Sequence, residues 1–152
     1  MNKILIIGTE PPCPRCGLLK NVIEKKVKEL NLITEIEHLA YTDKKSNEIA
    51  NCIGLKAGTA KDVAKKINKE IDKVKLAELL QNKISSVDCE YKDYNEFNWS
   101  YKLDEFLRPY EISAKNAGIL MTPILIINGE IKHQGSLPKI QKIIDWLLEM
   151  NK

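Results

Sequence analysis

Ile4-Leu5-Ile6-Ile7 forms a continuous apolar run near one end of the chain, and Ile124-Leu125-Ile126-Ile127 forms a second near the other. Short apolar runs rich in β-branched residues predict strands buried on both faces. After the first run, Leu18, Leu19, Val22, Ile23, Val27 and Leu30 recur at helical spacing and predict a helix from about Arg15 to Leu30. Leu32–Tyr41, with Ile33, Ile36 and Leu39, predicts a second strand, parallel to the first through a right-handed crossover. After the second run, Asn128-Gly129 is a hairpin turn signal leading into Ile131–Gln134. Ser136 is placed to cap a final helix carrying Leu137, Ile140, Ile143, Ile144, Leu147 and Leu148 on one face, with Pro138 tolerated in its first turn. The two ends therefore supply strand, helix, strand and then strand, strand, helix, an α/β pattern.

The middle of the chain has a different period. Thr59 with Asp62 predicts a cap for a helix carrying Val63, Ile67, Ile71 and Val74, and Leu76, Leu79 and Leu80 continue its apolar face. Trp99, Leu103, Phe106, Leu107 and Tyr110 form another helical stripe, read as core, which Pro109 is expected to kink or end. Ile112–Ala117 resumes as a helix that Gly118 terminates. Residues 43–111 thus read as a mostly helical insertion, between 1–42 and 112–152, within one compact unit of 152 residues.

Chemistry enters at Cys13-Pro14-Arg15-Cys16, where the first strand hands over to the first helix. The unpaired N–H groups and positive end of a helix favour a thiolate there, and the spacing brings the second sulfur beneath the first. Arg15 adds a cation and Pro14 restrains the loop. The 24 basic and 21 acidic residues leave a net charge of +3, too small and dispersed to indicate nucleic acid. No stretch suits a signal peptide or a membrane span, so the expected location is the cytoplasm. Thiols there are kept reduced, which makes a Cys-x-x-Cys pair catalytic or metal-binding rather than a staple.

Ala114-x-x-Ala117-Gly118-Ile119, followed by Met121-Thr122-Pro123-Ile124-x-Ile126-Ile127-Asn128-Gly129, is similar to the small redox-active disulfide proteins, a glutaredoxin-like family of the thioredoxin fold. The resemblance covers 1–42 and 112–152; selenium-containing thioredoxin-like families are a further resemblance. It implies a central mixed sheet flanked by helices, with the helical insertion ahead of a cis-proline at Pro123. By the same resemblance Cys13 attacks a disulfide, Cys16 resolves the mixed disulfide, and the Thr122 backbone pairs with an extended segment of the partner. The chain departs from the thioredoxins proper in having Pro12 before Cys13 and no Asp or Glu in its first strand, which leaves the proton acceptor for Cys16 unassigned.

The expected activity is thiol–disulfide oxidoreduction without an organic cofactor or metal. The expected partners are a protein or low-molecular-weight disulfide or thiol and a regenerating reductase, with no nucleic acid or membrane; the oligomeric state is open. An alternative is a carrier that uses the two thiols to hold a metal or a selenium- or sulfur-containing group, and a third reading is an adaptor whose insertion binds protein. Cys52 and Cys89 lack the close pairing of structural zinc ligands. Cys52 reads as a buried small hydrophobe, with a Cys52–Cys89 regulatory disulfide as the other reading. His38 and His133 read as strand residues with ordinary hydrogen-bond partners, and Asn98-Trp99-Ser100 as a chance glycosylation match.

Overall fold

The structure is a computed structural model that describes residues 2–81, 90–91, 93–94 and 99–150. Its elements in chain order are β1 (Asn2–Gly8), α1 (Pro14–Glu29), β2 (Thr34–Ala40), α2 (Lys44–Asn51), β3 (Lys56–Gly58), α3 (Ala60–Lys66) and α4 (Lys73–Gln81). α5 (Tyr101–Ala114), β4 (Ile119–Met121), β5 (Ile124–Ile127), β6 (Glu130–Gln134) and α6 (Ile140–Met150) follow. The main sheet runs β2-β1-β5-β6, with β2 parallel to β1 and both β1–β5 and β5–β6 antiparallel. It is a mixed sheet flanked by helices.

The two apolar runs sit side by side because each is buried on both faces. Ile4 and Ile6 of β1 and Leu125 and Ile127 of β5 join α1 and α6 in one core cluster, while Leu5, Ile7, Ile124 and Ile126 face Ala50 of α2. This is strand alternation with apolar residues on both sides of the pleat. Asn128 and Gly129, both at positive φ, close the expected hairpin.

The middle of the chain departs from expectation in three places. α3 is capped by the Thr59–Asp62 box but stops at Ile67, and α4 starts afresh at Lys73, so the expected single apolar face is split. Lys56–Gly58 forms a short strand parallel to β4, which helical periodicity did not announce. α5 neither ends nor restarts at Pro109. Its buried side, Leu103, Leu107, Tyr110 and Ala114, continues past the proline, while Pro109 and Glu105 are both exposed. The i+4 hydrogen bond lost to the proline therefore lies between two residues on the exposed side of the helix, where an unmade bond costs least. The helix ends earlier than expected, at Ala114 with Lys115 as its cap, and Gly118, at φ +79, closes the turn that follows rather than the helix itself.

Ser136 does not cap the last helix. α6 begins only at Ile140, and the Ser136 hydroxyl bonds His133 Nε2 at 2.9 Å instead.

Candidate active site

Gly8, at the end of β1, leads into Thr9 and a cis Glu10–Pro11 bond. The Thr9 hydroxyl accepts from the Cys13 amide at 2.8 Å and donates to the Pro11 carbonyl at 2.9 Å, pinning the turn. Cys13 is the extended N-cap of α1, and Pro14 takes the first helical position, where a missing N–H is harmless. Pro12 is exposed on the outside of the turn.

The Cys13 and Cys16 sulfurs stand 3.1 Å apart as free thiols, and the Cys16 amide donates to Cys13 Sγ at 3.5 Å. Cys13 is partly exposed and Cys16 fully buried. The Cys16 thiol, donating to Cys13, brings the Cys13 pKa from 9.0 down to about 6; the Cys16 amide, the Arg15 charge and the Thr9 hydroxyl add to this against the opposing effect of burial. The same hydrogen bond, with burial and the Cys13 charge, pushes the Cys16 thiol well up. The pair is thus polarised into one accessible thiolate and one held proton. Gly8 makes room for it: a Cβ there would lie 2.5 Å from Cys16 Sγ.

Arg15 is not an open surface cation. It is buried, with Nε donating to Asp104 Oδ1 of α5 at 2.7 Å, and Asp104 Oδ2 accepts from the Leu137 amide at 3.0 Å.

Thr122 and Pro123 reach the site from the far end of the chain. Their peptide bond is cis, and Thr122 lines a cleft of about 350 Å³ together with Cys13, Ile71, Leu76, Leu80 and Leu107. The Thr122 amide donates to the Gly58 carbonyl at 2.9 Å, so β3 already holds a backbone group that the family resemblance assigns to a partner. Thr9, Gly8 and Asp104 escaped the sequence reading. A glycine after an apolar run and a hydroxyl four residues before a cysteine are faint signals, and Asp104 gave none.

A family model described as the thioredoxin domain matches residues 64–148. That is more than half of the chain. The chain belongs to the thioredoxin-domain family. The thioredoxin match starts inside α3 and runs through α4, α5 and β4–β6 into α6; the Cys13–Cys16 motif lies outside it. Membership supports a thiol–disulfide oxidoreductase in general terms. No curated protein and no solved structure matches.

The remaining candidates are dispersed. Cys52 is exposed at the C-cap of α2, not buried, because the helix ends there and the neighbouring Ile53 also faces solvent. Cys89 and Asn98 lie outside the described residues. Among the described residues no group of three or more His, Cys, Asp or Glu could hold a metal, and no helix is long and apolar enough to cross a membrane. His133 has the ordinary partner expected of it, but His38 Nε2 is buried with none among the described residues.

Proposed function

We propose that this protein is a cytosolic thiol–disulfide oxidoreductase in which Cys13 attacks and Cys16 resolves. The carrying observation is the polarised sulfur pair, 3.1 Å apart, with Cys13 lowered to about 6 and Cys16 raised. The Cys13 thiolate attacks a disulfide sulfur of the partner, forming a mixed disulfide and expelling one partner thiolate. Cys16 then attacks Cys13 Sγ, closing the internal disulfide and releasing the second partner thiol. Two electrons pass from the cysteine pair to the partner. A reductase or small thiol regenerates the dithiol, and no organic cofactor takes part.

The cleft beside Cys13 supports a division of labour in which residues 43–111 select the partner. Ile71, Leu76, Leu80 and Leu107, all from that segment, line the approach to the thiolate with Thr122, and Pro123 follows it in the cis turn. The reading is tested by incubating Cys16→Ser protein with a cell extract. It is expected to accumulate mixed disulfides through Cys13, whereas Cys13→Ser captures nothing. Capture through Cys16 in Cys13→Ser protein, or metal retained stoichiometrically by wild type purified under reducing conditions, favours the carrier reading instead.

A further inference from the structure

A buried thiol that must become a nucleophile needs somewhere to send its proton. Cys16 is fully buried, and in the mixed disulfide, where Cys13 no longer carries a charge, burial is the effect that still pushes its thiol up and disfavours ionisation without a nearby acceptor. β1 carries no carboxylate to help, since every residue from Ile4 to Gly8 is apolar or glycine.

The neighbouring strand carries a base. His38 of β2 pairs in register with Ile6, one pleat repeat before Gly8. A Cβ placed on Gly8 would lie 2.5 Å from Cys16 Sγ and 3.2 Å from His38 Nε2. The imidazole nitrogen and the sulfur therefore flank the same small space, no farther apart than those two legs laid end to end. The His38 side chain is 9% exposed, and its Nε2 has no hydrogen-bond partner among the described residues. A buried, unpartnered ring nitrogen is uncommon unless a proton or a water is to be received there. On the other side of the ring, Nδ1 faces a carboxylate oxygen of Glu10 at 3.6 Å. That carboxylate favours the tautomer with its proton on Nδ1, leaving the Nε2 lone pair directed inward.

We propose that His38 is the proton acceptor for Cys16, with Glu10 orienting it, and this rests on the oxidoreductase reading above. In the mixed disulfide, Cys16 passes its proton to His38 Nε2, directly or through one water, and its sulfur attacks Cys13 Sγ. The Cys13–partner bond breaks and the departing thiolate is protonated from the imidazolium, so His38 ends neutral. Glu10, 66% exposed, connects the ring to solvent. Burial holds the ring neutral in the resting protein, against the attraction of Glu10 and with the help of the Lys20 charge on α1. A neutral ring is what a base requires.

The test is single-turnover reduction of 5,5′-dithiobis(2-nitrobenzoate) by the reduced full-length protein, with Cys52 and Cys89 replaced by serine in every sample. Release of the first chromophoric thiolate reports Cys13 attack, and release of the second reports resolution by Cys16. In His38→Gln the first release is expected within about twofold of wild type and the second slowed about tenfold or more at pH 7, at the low end of general-base effects. The wild-type second release should also hold its rate down to the range below 6.5 where the lowered His38 titrates, while that of His38→Gln climbs steadily with pH. Glu10→Gln, an exposed substitution safe for folding, should slow the second release by a smaller factor. An unchanged second release in both variants, or equal slowing of both releases, overturns the assignment to His38. Absence of two-step release in the wild type overturns the oxidoreductase reading itself, and the inference with it.

Discussion

At neutral pH a Cys13 thiol with a pKa of about 6 is mostly thiolate, while Cys16 beneath it keeps its proton. Iodoacetamide should therefore label Cys13 first, with a rate that rises through a midpoint of about 6 and levels off above neutral pH. Mass spectrometry across a pH series checks this, and faster labelling of Cys16 would reverse the assigned roles. Asp104 works against that thiolate, because its carboxylate balances the Arg15 guanidinium. Asp104→Asn should move the Cys13 midpoint lower still, since the cation is no longer balanced. It should also cost the fold about 3–5 kcal/mol, the usual penalty for leaving one member of a buried pair uncompensated. Thiolate absorbance against pH and denaturant unfolding separate the two effects. The placement of the cysteine pair at the start of α1 was legible in the sequence because helix-terminus chemistry is local. The Arg15–Asp104 pair was not, because the residues are 89 apart and no local pattern joins a first-turn arginine to an aspartate on another helix.

Strands were read more faithfully than helices, and for a physical reason. β1 and β5 are buried on both faces, so their apolar runs announce themselves without reference to anything else. Helix ends depend on where a partner surface runs out. Ile67 ends α3 although the apolar spacing continues, and α5 passes through Pro109 because the residues flanking the lost hydrogen bond face water. Pro109→Ala should therefore restore the bond to the Glu105 carbonyl and raise stability. The gain is capped at about 3 kcal/mol, the helix-interior penalty of proline, and a higher midpoint in thermal unfolding is the readout. Ser136 misled for the opposite reason: a good capping residue was drawn to His133, and the helix starts one turn later.

Across the whole molecule, the middle of the chain is not a detachable lid. Val63 of α3, Leu79 of α4 and Leu103, Leu107 and Tyr110 of α5 share one core cluster with α1, β1 and α6. Excising residues 43–111 would open that core, so partner choice is better probed by small changes at the cleft. The double substitution Leu76→Ser and Leu80→Ser, at partly buried positions beside Cys13, should leave the rate with a small generic disulfide within about twofold. It should raise KM for captured protein partners about tenfold or more, as expected for two apolar contacts removed at about 25 cal/mol per Å² of surface. Equal loss with both kinds of disulfide would place the cleft in the chemistry rather than in selection. Asp104 also receives the Leu137 amide, so one carboxylate joins the start of α1, the body of α5 and the approach to α6. The two residues between the cysteines are therefore not an interchangeable cassette. A dipeptide borrowed from another oxidoreductase to retune the potential would strand Asp104 as a buried anion, and such a graft succeeds only as a joint replacement of positions 15 and 104.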